Sequence, residues 1–227
     1  MFGVLSLPGK QGRWDEDEFY QYGRAEVDTL FSQLAQAGVK PESQRALDFG
    51  CGVGRLTFPL AERFAEVDGV DISPSMVEFA RSHNQLGDRC RFHLYDGESL
   101  EGFDTDTFDL VVCLMTLQHV PPFTTERYLA EMVRITRPNG IIAVQIPDSR
   151  SPQSAKRQFK ERTVKAFHQL KGNPQMEMHA RRVAEVAEIF QKAGAAVVAA
   201  ISDARCGNWG PSFLHVALKA GPERQGS

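Results

Sequence analysis

Three glycines at alternate positions, Gly50, Gly52 and Gly54, follow an apolar run in "ALDFGCGVGR" (46–55). A glycine-rich turn at the end of a strand lets the backbone close around a nucleotide. Two carboxylates flank the turn. Asp48 precedes the first glycine by two residues, and Asp71 closes a second apolar segment, "AEVDGVDI" (65–72). Further along, "LQHVPP" supplies His119 and "QIPD" supplies Asp148, each beyond an apolar run. An imidazole and a carboxylate in such positions can move a proton, with His119 as general base and Asp148 fixing its tautomer. The competing role for His119 is to bond backbone and shape a pocket; for Asp148 it is that of a solvated loop acid.

The glycine spacing separates two ligands. A dinucleotide pyrophosphate calls for GxGxxG at the start of a helix. Here the spacing is GxGxG, and position 55 is arginine. Asp71 suits ribose hydroxyls in either case. Asp48 tips the balance, because a carboxylate there would face the negative charge of a pyrophosphate. It suits a ligand that carries an ammonium and a sulfonium and no phosphate, which describes S-adenosylmethionine.

The elements that must position these groups alternate strand and helix. "RALDF" (45–49), "AEVDGVDI" (65–72), "CRFHLYD" (90–96), "FDLVVCLM" (108–115) and "GIIAVQIP" (140–147) read as strands, the fourth and fifth mostly apolar and therefore buried on both faces. "GRLTFPLAERF" (54–64) has helical spacing in spite of Pro59. "SPSMVEFARSHN" (73–84) opens with Ser73 as N-cap and Pro74 at the first helical position. "TTERYLAEMVRITR" (124–137) is a helix closed by "PNG", and "RRVAEVAEIFQKAG" (181–194) is a helix ending at Gly194. "DEFYQYGRAEVDTL" (17–30) reads as an amphipathic helix. "AAVVAAIS" and "SFLHVALK" follow as two strands joined by "DARCGNWGP", short enough for an antiparallel return. This alternation predicts an α/β fold with a doubly wound, mostly parallel sheet.

Placed on these strand ends, the motifs resemble those of class I S-adenosylmethionine-dependent methyltransferases. "LDFGCGVGR", "VDGVDIS", "LYDGESL", "FDLVVCLMTLQHV" and "VRITRPNGIIAVQ" match the family's segments in order, well over residues 44 to 148 and loosely elsewhere. Asn139 replaces a common glycine but tolerates positive φ. The resemblance implies a Rossmann-like seven-stranded sheet with an antiparallel final strand and helices on both faces. It implies S-adenosyl-L-methionine as cofactor, with S-adenosyl-L-homocysteine as product. Cofactor contacts would come from Asp48, Gly50, Cys51, Gly52, Ile72, Glu98 and Leu114, with Asp71 on the ribose, Asp96 on the adenine amino group and Gly97 on its ring nitrogen. The helix at 17–30 often closes over the cofactor in this family, so Tyr22 or Arg24 would meet its carboxylate. Segment 148–180 would be a substrate lid, with Phe159, Phe167, Met176 and Met178 toward the acceptor and His168 and His179 as alternative bases.

Composition narrows the acceptor. With 26 basic and 29 acidic residues and no long block of like charge, nothing points to nucleic acid or a membrane surface. "VPPF" (120–123) lacks the carboxylate or amide that amino-methylating nucleic-acid enzymes carry before the prolines. No stretch reaches a membrane span, and the first residues do not read as a signal peptide. The four scattered cysteines lack metal spacing, so no metal is expected and a reduced cytoplasm is. The expectation is one domain over 14–220 with mobile ends at 1–13 and 221–227, a monomer or homodimer. It would methylate a small molecule, at a hydroxyl of a sugar or natural-product-like metabolite. N- or C-methylation, and a catalytically silent cofactor-binding subunit, are the alternatives.

Overall fold

The computed structural model describes residues 15–95, 97, 99–149, 178–206 and 210–221. Seven strands form one sheet: β1 (Arg45–Phe49), β2 (Glu66–Asp71), β3 (Cys90–Leu94), β4 (Phe108–Cys113), β5 (Thr136–Pro147), β6 (Ala195–Asp203) and β7 (Ser212–Lys219). Their order is β3-β2-β1-β4-β5-β7-β6. β7 runs antiparallel to both neighbours, and the other pairings are parallel. The chain reverses its direction of winding between β1 and β4, which makes their carboxyl ends the switch point where such sheets bind ligands.

Helices α1 (Glu16–Gln36), α2 (Thr57–Leu60) and α3 (Pro74–Ser82) cover one face, and α4 (Pro122–Ile135) and α5 (Val183–Ala193) the other. Each exists because one stripe of it is apolar. In α1, Phe19, Val27, Leu30 and Leu34 are buried, and the Asp15 carboxylate caps the amides of Asp17 and Glu18. In α4, Tyr128, Leu129, Met132 and Val133 meet Leu47, Val111 and Val144 of the sheet. β4 is buried along its whole length, as a strand apolar except at Asp109 predicts, and Arg137 pairs with that carboxylate.

Three boundaries differ from the sequence pattern. The helix expected over 54–64 is a single turn, 57–60, because Gly50, Gly52 and Gly54 all hold positive φ and Pro59 supplies no N–H. α4 begins two residues earlier than expected, at Pro122, and β5 follows it without a gap, since Thr136 pairs with Phe108 before the register shifts to Leu110–Ile141. Asn139 lies within that stretch at φ 63. Ser73 occupies the N-cap position of α3, but its hydroxyl meets Ser75 Oγ instead of capping the helix. Gly194 ends α5 at φ 93, as its place after the apolar stripe predicts. Among the described residues, no helix is long and apolar enough to cross a membrane.

Candidate active site

The glycine turn is shaped from β2. Val70 O accepts both the Gly50 and Cys51 amides, at 2.8 and 3.0 Å. The two oxygens of Asp71 are divided between elements: Oδ2 accepts Gly52 N–H at 2.9 Å and Oδ1 accepts Ser73 N–H at 2.8 Å. One carboxylate thus ties the glycine turn to the start of α3. Gly69 makes this approach possible, because a Cβ there would lie 3.0 Å from Cys51 Sγ.

Gly50 and Gly52 are glycine for different reasons. A Cβ on Gly50 (φ 80) would fall 2.1 Å from Thr116 Oγ1, whereas one on Gly52 (φ 54) would meet nothing within 4 Å. Gly50→Ala should therefore lower stability by about 3 kcal/mol through collision and left-handed strain. Gly52→Ala should cost only the strain, about 1 kcal/mol. Melting curves of the two variants check the difference; equal losses would contradict it.

Asp48 is 1 % exposed and accepts Thr57 Oγ1–H at 2.7 Å. Burial pushes its carboxyl up to about 6, against the pull of the Thr57 hydroxyl and of Arg55. A buried carboxylate with a raised pKa favours any cation brought beside it. On the far side of Asp71, Ile72 and Leu94 are large apolar side chains left 63 % and 52 % exposed, and Leu94 is paired with Asp71 across β2 and β3. Gly97 (φ 89) closes against this patch, where a Cβ would lie 3.0 Å from Ile72 Cδ1. Tyr128 Oη of α4 donates to Gly97 O. Asp96 and Glu98 lie outside the described residues.

After β4 the chain turns sharply. Leu114 is buried, and Met115 holds φ 61 with its amide donating to Gln145 Oε1 at 2.9 Å. A short turn, Leu117–His119, follows. Gln118 Nε2 contacts His119 Nε2 at 3.1 Å, and His179 N–H donates to Gln118 O at 2.7 Å. His179, read as an alternative base, thus stands beside the His119 turn. Asp148 directly follows β5, its amide bonded to Pro211 O. Its charge acts on His215, which burial pushes down to about 4. Phe159, His168, Phe167 and Met176 lie outside the described residues.

The helix at the N-terminus is longer than expected, and its two candidate residues part company. Arg24 is exposed and pairs with Glu62, in the turn leading from α2 to β2. Its side chain is more than half exposed. The buried arginine here is Arg55, which sequence reasoning noted only as a missing glycine. It pairs with Glu26 at 3.0 Å and lies 5.6 Å above the Tyr22 ring. Arg205 reaches the same Glu26 at 3.0 Å and also pairs with Asp203. A buried ionic network therefore joins α1, the glycine turn and the β6–β7 connection, with Tyr22 half-buried against it and its phenol pushed up by burial and Glu26. Gly23 permits the crossing: a Cβ there would lie 2.2 Å from Arg55 O.

Residues 46–140 match the family described as "Methyltransferase domain". The chain is 31% identical over 130 residues to a ubiquinone biosynthesis O-methyltransferase of Methylococcus capsulatus, covering 57% of this chain and 54% of that protein. It is 31% identical over 134 residues to a trans-aconitate 2-methyltransferase of Deinococcus radiodurans, covering 59% and 49%. The chain thus spans about half the length of the curated relatives it matches. The crystal structure of magnesium protoporphyrin IX methyltransferase from Synechocystis with bound SAH superposes with a TM-score of 0.65 at 20% identity, over 96% of this chain and 91% of that one. Residues 46–140 are thus similar to a methyltransferase domain, and the Rossmann-like sheet is the fold shared with the solved methyltransferase structure.

Proposed function

We propose that this protein transfers the methyl group of S-adenosylmethionine to an oxygen of a small-molecule acceptor. Asp48 carries the reading: a fully buried carboxylate raised to about 6, at the carboxyl end of β1 where the sheet reverses, is a site for a cation. The other residues fit the same ligand. Asp71 keeps lone pairs for ribose hydroxyls while bonding two amides, open space faces Gly52, and the Ile72–Leu94 patch can cover one face of an adenine. Asp96 and Glu98 complete the adenine side in this proposal, and Tyr22 and Arg55 stand toward the cofactor's carboxylate.

When bound, the sulfonium supplies an electrophilic methyl group, and the residues supply positioning. Holding an acceptor oxygen in line at near-contact distance accounts for much of such a rate. His119, in the turn after β4, takes the acceptor's proton, and Asp148, at the end of β5, orients it. The likeness to an O-methyltransferase supports oxygen as the atom methylated, and a hydroxyl of a sugar or natural-product-like metabolite is the acceptor we infer. Residues 14–220 would form one such domain, with 148–180 as the acceptor-facing insertion. The described end of that insertion supports this, since His179 meets the His119 turn and Arg181 bonds Pro147 O. Four free cysteines agree with a reducing cytoplasm.

Screening small hydroxyl acceptors for S-adenosylhomocysteine formation tests the activity. With an acceptor in hand, His119→Ala should lower kcat at least about a hundredfold with cofactor affinity unchanged. A matching loss of cofactor affinity would remove His119 from proton transfer.

A further inference from the structure

Beyond the glycine turn, the cleft contains a chain of polar contacts that no charged group begins. Met115 N–H donates to Gln145 Oε1 at 2.9 Å. Gln145 Nε2 donates to Cys206 Sγ at 3.0 Å, and Cys206 Sγ donates to Gln118 Oε1 at 3.1 Å. Gln118 Nε2 then meets His119 Nε2 at 3.1 Å. Gln145 is fully buried and Gln118 nearly so, at 0% and 5% exposure. These contacts link the end of β4, the middle of β5 and the β6–β7 connection to one imidazole.

The polarity of the chain follows from its first link. A backbone amide can only donate, so the Gln145 oxygen faces Met115 and its NH2 group faces Cys206. Burial pushes the Cys206 thiol up, so it carries its hydrogen. Ser212 Oγ also bonds this sulfur; the thiol hydrogen cannot go to the Gln145 NH2 group, and the 3.1 Å contact gives it to Gln118 Oε1. The Gln118 NH2 group is then turned to His119, whose Nε2 must accept. The bond made by one ring nitrogen sets which nitrogen carries the proton, and here that nitrogen is Nδ1.

We propose that Gln145, Cys206 and Gln118 are positioning residues that hold His119 in its Nδ1–H tautomer and so present Nε2 as the proton-accepting nitrogen. The inference rests on reading His119 as the acceptor-side base. Nε2 has a single lone pair, so in the acceptor complex the acceptor's O–H takes the place of the Gln118 N–H on a ring whose tautomer is already set. The strained turn at Met115 has a purpose in this account, because it aims the one irreversible donor at Gln145. In the transfer, the acceptor's O–H bond breaks to Nε2, the oxygen gains the methyl group, and the sulfonium leaves as a neutral thioether.

The first test needs neither cofactor nor acceptor. In protein labelled with 15N-histidine, two-bond couplings between ring nitrogens and ring hydrogens identify the protonated nitrogen of each of the six histidines, and His119→Gln assigns its signal. Protonation at Nδ1 near neutral pH is expected; protonation at Nε2 would overturn the proposal. Cys206→Ala should break the chain, mix the tautomers and lower kcat about tenfold or more with KM for S-adenosylmethionine unchanged. Cys206→Ser, whose hydroxyl can accept and donate, should restore both. A Cys206→Ala enzyme with an unmixed Nδ1–H signal and full kcat would also overturn it. Failure of the enzyme to bind S-adenosylmethionine would refute the proposed function and leave the tautomer result standing by itself.

Discussion

Asp71→Ala should weaken S-adenosylmethionine binding at least about a hundredfold. A charged hydrogen bond contributes about 1.5–3 kcal/mol, and the proposed ribose contact would lose two. The substitution also releases Gly52 N–H and Ser73 N–H, so the glycine turn and the start of α3 lose their common anchor. Asp71→Asn should be nearly as poor. Both oxygens accept from backbone amides, so whichever way the side-chain amide turns, its NH2 group faces a backbone N–H. Calorimetric affinity together with melting temperature checks this. An asparagine variant that binds within threefold of the parent would show that Asp71 is not a two-sided acceptor.

Asp48→Asn should have opposite effects on binding and on stability. The ionised Asp48 is costly to bury, with its folded pKa of about 6 above the ordinary value of 3.8. A group raised in this way contributes its stability below pH 3.8 and loses it as pH rises through 6, a difference of up to about 3 kcal/mol. Asparagine should recover about 1–2 kcal/mol of this at pH 7.5, the rest being offset by desolvation of its amide. The gain should vanish at pH 4, where Asp48 is itself protonated. Cofactor affinity should fall about 10- to 100-fold, because the cation loses its counter-charge. In the parent protein, affinity should drop as pH falls below 6, since binding must expel the Asp48 proton; the variant should lack that slope.

His215 acts in the opposite sense over the same range. Its folded pKa of about 4 lies below the ordinary 6.5, and among the described residues its Nδ1 has no hydrogen-bond partner. The unfolded chain therefore binds the proton first, and stability is lost as pH falls from 6.5 toward 4, again by up to about 3 kcal/mol. The Asp48 and His215 slopes nearly cancel in the parent. Asp48→Asn should uncover the His215 slope and become acid-sensitive between pH 6.5 and 4. Asp68, held well below the carboxylate range by His93, Arg45 and Arg91, adds a loss only at lower pH.

The parts of the site that sequence patterns reveal are local. Asp48, the alternating glycines and Asp71 are tied to strand ends, and strand ends follow from apolar periodicity. The sheet order and the antiparallel β7 follow from connection lengths. The hidden parts depend on partners far apart in the chain. Arg24 and Arg55 look equivalent in sequence, and only the face of α1 on which Gly23 sits separates the exposed one from the one buried against Glu26. Arg205 meets Glu26 across 179 positions. Gln145 is one letter in an apolar strand and Cys206 one of four scattered thiols, so neither type nor spacing announces the chain leading to His119. Pro59 was visible, but its effect required the three left-handed glycines before it, which leave α2 one turn long.

The most direct measurement is calorimetric titration of the purified protein with S-adenosylmethionine, S-adenosylhomocysteine and NAD, alongside Asp71→Ala. Micromolar binding of both sulfur ligands, loss of that binding in the variant, and no heat from NAD are expected. Binding of NAD, with neither sulfur ligand bound, would contradict the assignment of Asp48 as a cation's partner and turn the glycine cleft into a dinucleotide site.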